Sequence, residues 1–195
     1  MKFNMGCGQN KQPGYVNVDA AAASEPDEVV DLEVTPWPWP DGCAEEIVFN
    51  HALEHMGADP KVFLAIMREV YRIAAPGGLV RIHVPHPRHD NFLNDPTHVR
   101  PITPQMMELF DRPKNLSWRN AGNANTPLAL YLDVDFELVR RDVLLDEPYR
   151  SQLKSGAMTT DEAQELLKTR NNIAAEFRIE LVAHKPPRAG AAATP

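Results

Sequence analysis

Within the first nineteen residues, a Gly6-Cys7-Gly8 turn follows a short apolar run, and Asp19 closes the next one eleven positions after Gly8. A Gly-x-Gly turn lets the backbone pass close to a ligand without Cβ obstruction, and an acid ending the following strand can accept both hydroxyls of a ribose. That is a nucleoside grip. A dinucleotide site would need a third glycine where Lys11 stands and an acid about 20 residues beyond the turn. The short separation also leaves little room for the long helix whose N-terminus would hold a pyrophosphate, so a nucleoside without phosphates fits better. Standing alone, the turn reads equally well as a tight bend before a surface aspartate.

A second chemical segment is VPHPRHDNFLNDPTHVRP, residues 84–101. A neutral imidazole has the right affinity for a proton near pH 7, so His86, His89 and His98 are the candidate general bases. For any one of them the plainer reading is a hydrogen bond within the loop. Arg100 is placed to pair with an acidic ligand or with Asp95. Histidine and aspartate together suit zinc or iron, but the prolines leave the ligand geometry unreadable and no metal is assigned. His51 and His55 are four apart with Glu54 between them; zinc-protease chemistry needs the glutamate where Ala52 stands. Glu54 and His55 are therefore expected to cap or brace the helix that follows.

The elements that must position these groups are legible from periodicity and turn residues. Strands are expected at 2–5, 15–18, 28–32, 45–50 and 78–84. Between the last two, Asp59 caps a helix with Pro60 at its first position and Phe63, Ile66, Met67, Val70 and Ala74 on one face, ended by Pro76-Gly77-Gly78. Strand, helix, strand makes a right-handed crossover between parallel strands, which gathers the loops after the strands along one sheet edge. Beyond it a short helix is expected at 103–110, an irregular insertion at 111–132 and a long strand at 134–145. Thr159 and Glu162 form a capping-box pattern before a helix carrying Ala163, Leu166, Leu167 and Ala174, and a last strand is expected at 177–184.

The 195 residues suit one domain, at 1–186, with a disordered tail at 187–195. A net charge of −7 and a pI near 5.5 argue against a broad phosphate-binding face, so nucleic acid is not an expected partner. No run approaches the roughly 18 apolar residues of a membrane span. Cys7 and Cys43 belong to no CxxC pair and are expected to be reduced; with no leader in view, the expected location is cytoplasmic.

Together these segments resemble class I S-adenosylmethionine-dependent methyltransferases, especially small bacterial ones reading LNLGCG, pGyvNvD, DL, LPFPD, LEH and PGG. The chain has NMGCG at 4–8, PGYVNVD at 13–19, DL at 31–32, WPWPD at 37–41, EIVFNHALEHM at 46–56, REVYRIAAPGG at 68–78 and VRIHVP at 80–85. The resemblance implies a three-layer α/β sandwich, Rossmann-like, around a seven-stranded mostly parallel sheet with an antiparallel last strand. It implies S-adenosyl-L-methionine as cofactor and methyl transfer to an oxygen or nitrogen of a small acceptor. Gly6, Cys7 and Gly8 would line the methionine and ribose portion, Asp19 take the ribose hydroxyls, Asp31 and Leu32 meet adenine, and Asn50 and His51 close over the ligand. Asn4 stands where the family has an acid, and Asn10 where it has a third glycine. Trp37 and Trp39 either stack on adenine or, the preferred reading, cover the sheet. The first strand starts at once and the first crossover is short, so one sheet face should be underprotected and covered by the 111–132 segment or by a second subunit. A nucleoside-binding but inactive relative, a metal-dependent hydrolase built on the histidine-rich loop, and a nicotinamide reductase are the alternatives.

Overall fold

The helix capped by Asp59 and the two strands it joins form the centre of the protein, seen here in a computed structural model that describes residues 1–189. In chain order the elements are β1 (Lys2–Met5), β2 (Val16–Asp19), β3 (Glu28–Val29), β4 (Ala44–Asn50), α1 (Pro60–Ile73), β5 (Ala74–Pro85) and α2 (Asp90–Leu93). Then come α3 (Pro104–Met107), α4 (Arg112–Asn120), α5 (Leu128–Leu132), β6 (Phe136–Leu145), α6 (Tyr149–Ser155), α7 (Thr160–Thr169) and β7 (Ala174–Ala183). The seven strands lie in the order β3-β2-β1-β4-β5-β7-β6. β1 to β5 are mutually parallel, and β7 runs antiparallel to both β5 and β6.

Alternation along the strands gives the sheet two unlike faces. Phe3, Met5, Ile47, Phe49, Val80, Ile82, Ile179 and Leu181 are fully buried and share a core with Phe63, Ile66, Met67 and Val70 of α1. Each such side chain contributes about 1.5–3 kcal/mol through burial. The opposite face is polar. Glu46 takes Lys2 at 3.0 Å and Arg81 at 2.5 Å, Arg81 reaches Glu180 at 3.4 Å, and Arg140 reaches the same Glu180 at 3.6 Å. Right-handed crossovers place the β1–β2 and β2–β3 connections on this side. Among the described residues, the only helical turn between β1 and β4 is a 3-10 turn at Ala22–Ser24.

The 111–132 segment does not cover that polar face. α4 and α5 lie with Phe110 and Ala129 in the α1-side core, where the Phe63 and Phe110 rings meet edge-on at 6.3 Å. Nor is that segment irregular: Asp111 caps α4 by accepting the Lys114 N–H at 3.0 Å, with a proline in its first turn. The capping box at Thr159 and Glu162 is formed. Ala174, expected on that helix, instead opens β7, because the helix stops at Thr169. α6 lacks a side-chain cap, which is why no start signal marked it. Residues 190–195 of the expected tail lie outside the described residues; Arg188 before them is tied to buried Asp135 by its backbone N–H at 2.7 Å and its guanidinium at 2.8 Å. Among the described residues, no helix is long and apolar enough to cross a membrane.

Candidate functional site

Between β1 and β4 the strand order reverses, and in open α/β sheets ligands bind in the crevice beyond the carboxyl ends of the strands at such a point. A cavity of about 310 Å³ sits there, lined by Gly6, Asp19, Ala20, Val30, Asp31, Leu32, Glu33, His51, Ala52, His55 and Met56. A larger groove of about 780 Å³ lies at the opposite, amino-terminal edge beside Gly42 and Pro76. Two of its cations are engaged, Arg72 with Glu69 and Asp41, and Lys185 with the carbonyls of Arg72 and Ala74. The smaller cavity is the one at the strand-order reversal.

Its floor is the turn after β1. Gly6 has φ +64°, and a Cβ there would stand 2.6 Å from the Ala52 Cβ, so the loops after β1 and β4 approach as closely as only glycine allows. Asp19 secures the turn: one carboxylate oxygen accepts the Gly8 N–H at 2.8 Å and the other accepts the Ala21 N–H at 2.8 Å. Each oxygen keeps a further lone pair for a ligand hydroxyl. On the β3 side, Asp31 caps its own turn through the Glu33 N–H at 2.9 Å, and Glu33 accepts the Gly57 N–H at 2.5 Å.

On the β4 side His51 holds a left-handed backbone, φ +51°, a conformation that costs a non-glycine residue of order 1 kcal/mol and clusters at functional sites. Its Nε2 bonds Glu176 at 2.9 Å and its Nδ1 stands 3.6 Å from Glu54. The Glu54 and Glu176 carboxylates raise its pKa against the opposing effect of burial.

Of the residues expected at the cofactor, Gly6, Asp19, Asp31, Leu32 and His51 line the cavity. Gly8 acts from one step behind, through Asp19. Asn4 is buried with its amide donating to Asn10 O and Asn17 Oδ1, both at 2.9 Å. Cys7 is buried beside the turn, and Asn50 pairs with His83 at the end of β4; neither lines the cavity. Trp37 and Trp39 belong to the core, bonded to Leu32 O and Glu28, and cover the sheet.

The three candidate bases separate. His89 is saturated, accepting the Asn91 N–H at 3.0 Å and bonding Asp146 at 3.0 Å. His86 packs against the Phe177 ring, tilted by 51° at 4.7 Å, and burial, aided by Arg88, pushes its pKa down to about 4. Only His98 approaches the site, its ring 4.5 Å from that of His55 on the cavity wall. Arg100 pairs with neither Asp95 nor a free site; it lies over the Phe63 ring and donates to Gly57 O. Glu54 and His55 do not cap α1, since Asp59 does so by accepting the Lys61 N–H. Sequence reasoning missed Ala20, Val30, Glu33, Ala52, His55 and Met56 as cavity residues, although Ala20 follows Asp19 and Val30 and Glu33 flank the Asp31-Leu32 pair.

No protein-family model matches the chain, and no curated protein does either. Solved structures do. A SAM-dependent methyltransferase from Archaeoglobus fulgidus superposes with a TM-score of 0.57 at 18% identity, covering 92% of this chain and 84% of that one. A SAM-dependent methyltransferase from Methanosarcina mazei gives 0.55 at 14% identity, covering 93% and 91%. The [4+2]-cyclase SpnF gives 0.51 at 12% identity, covering 93% and 74%. The chain has the fold of these S-adenosylmethionine-dependent methyltransferases.

Proposed function

We propose that the protein is a methyltransferase using S-adenosyl-L-methionine, with an oxygen or nitrogen of a small molecule as acceptor. The observation that carries this reading is the joining of the Gly6-Cys7-Gly8 turn and the Asp19 carboxylate at the strand-order reversal. The residues fit the cofactor. Asp19 would hold the ribose hydroxyls, Asp31 and Leu32 the adenine, and the tight Gly6–Ala52 approach the methionine portion. Asp19, Asp31 and Glu33 give the cavity a carboxylate wall, which favours a cationic sulfonium over a polyphosphate. The cofactor supplies an electrophilic methyl group. The chain's part is to hold both reactants in line and exclude water, and of the three candidate bases only His98 lies near the cavity.

Because SpnF carries the same fold and is a cyclase, fold alone does not decide the reaction. The test is calorimetry with S-adenosylhomocysteine, followed by transfer of labelled methyl from S-adenosylmethionine to a pool of small alcohols and amines. Binding with transfer supports the reading. Binding without transfer favours an inactive module, and absence of binding removes the proposal.

A further inference from the structure

Glu54 is fully buried, yet neither of its carboxylate oxygens accepts a hydrogen bond from any described residue. Burying an acid in that state is expensive unless a cation or a proton accompanies it. Two imidazoles beside it are preset to help hold a cation. His98 donates its Nδ1–H to the Phe92 carbonyl at 2.9 Å; a carbonyl can only accept, so in the neutral ring Nε2 carries the lone pair, 3.8 Å from Asp95 and 4.0 Å from Glu54. His55 Nδ1 meets Thr97 Oγ1 at 2.9 Å, while that hydroxyl donates to Asp95 at 2.6 Å. The hydroxyl proton is thereby spent on Asp95, so His55 Nδ1 is the donor and its Nε2 is free as well. Imidazoles fixed through Nδ1–H, with Nε2 bare, are the usual second sphere of metal-binding histidines.

One ligand atom from each of Glu54, His55 and His98 lies within 4.8 Å of the others. Tetrahedral zinc, with bonds of about 2.0–2.2 Å, needs donors roughly 3.4 Å apart, a closure within reach of small side-chain rotations. The backbone holds the two segments together, since the Val99 and Arg100 N–H groups both bond the Glu54 carbonyl, at 2.9 and 3.2 Å.

We propose that Glu54, His55 and His98 form a binding site for a divalent cation of the zinc class, in the wall of the donor cavity. Two imidazoles and one carboxylate suit zinc or ferrous iron, whereas magnesium and calcium prefer oxygen donors throughout. The rival account is an ion pair between Glu54 and His51, but His51 Nε2 is engaged by Glu176 and its Nδ1 stops 3.6 Å short. His55 lines the cavity, so an oxygen of the methyl acceptor would take the open coordination position. That role rests on the methyl-transfer reading; the cation site itself does not.

The experiment strips the full chain with chelator and titrates it with zinc alone by calorimetry, with elemental analysis of the dialysed product. Cobalt(II) serves as a spectroscopic stand-in whose visible absorption reports low coordination number. One zinc per chain is expected. Glu54→Gln and His98→Gln should each weaken it by about a hundredfold or more, and Thr97→Val, which only releases His55, by roughly 10- to 100-fold. Circular dichroism establishes which variants remain folded, and exposed Thr97→Val keeps the test decisive should the buried ones not fold. Zinc that fails to bind, or binds all variants alike, overturns the site. S-adenosylhomocysteine titrated into the same preparation separates the ideas: its binding without zinc sinks only the metal site, and zinc without its binding sinks only the methyltransferase reading.

Discussion

The Asp19 carboxylate accepts the Gly8 backbone N–H at 2.8 Å, so the acid that ends β2 is also the clasp of the turn that ends β1. Ligand recognition and loop conformation are one unit here. A substitution at either residue acts on both.

Asp19→Ala leaves the Gly8 and Ala21 N–H groups without their carboxylate and the ribose position without its acceptor. Calorimetric binding of S-adenosylhomocysteine should disappear, while unfolding stability falls by only about 1–3 kcal/mol. Wild-type affinity in the Asp19→Ala protein is the outcome that removes Asp19 from the site.

Gly6→Ala and Gly8→Ala should differ. Both glycines have positive φ, but a Cβ at Gly6 meets Ala52 at 2.6 Å, whereas nothing stands within 4 Å of one at Gly8. Gly6→Ala should cost roughly 2–4 kcal/mol in urea unfolding and abolish binding; Gly8→Ala should cost about 1 kcal/mol. Equal losses would mean that the β1 and β4 loops are not in tight contact.

The half-buried His86 sets a pH dependence. Its folded pKa of about 4 lies below the ordinary value of 6.5, so between those limits the unfolded chain binds more protons than the folded one. Stability is whole above about pH 6.5 and declines as pH falls toward 4, by an order-of-magnitude 1–3 kcal/mol from this residue. His86→Gln cannot titrate, so the gap between its unfolding free energies at pH 7.5 and 5.0 should be smaller than in the wild type. An identical gap would refute the assignment.

Burial opposes ionisation of Asp135, but the Arg188 guanidinium and backbone N–H, with the Arg112 N–H, hold its pKa below the usual carboxylate range. Arg188→Ala removes the guanidinium and leaves a fully buried carboxylate short of its cation, a loss of about 2–4 kcal/mol. Differential scanning calorimetry reads this directly; an unchanged melting temperature would show that the Arg188 guanidinium contributes nothing to the stability of the domain.

The left half of the sheet and the crossover were readable because each of their signals is local. Asp59-Pro60 starts α1, apolar periodicity carries it, and glycines mark the turns. Asp19, Asp31 and His51 were legible for the same reason, each standing at or just past a strand end. What sequence did not disclose depends on distant pairing. His86 and His98 stand in one histidine-rich loop, but β7 takes one onto Phe177 while Glu54 draws the other to the cavity. The fate of 111–132 turned on whether Asp111 would serve as a cap, and that of Asn4 on a partner at Asn17.

The rung of alternating charges from Lys2 to Arg140 gives the two sides of this sheet opposite responses to the medium. Electrolyte screens the ionic side, while the oily side is indifferent to screening and tightens as excluded salts raise the cost of wetting it. Guanidinium chloride, itself a salt, therefore works against both sides at once, whereas urea leaves the ionic one largely in place.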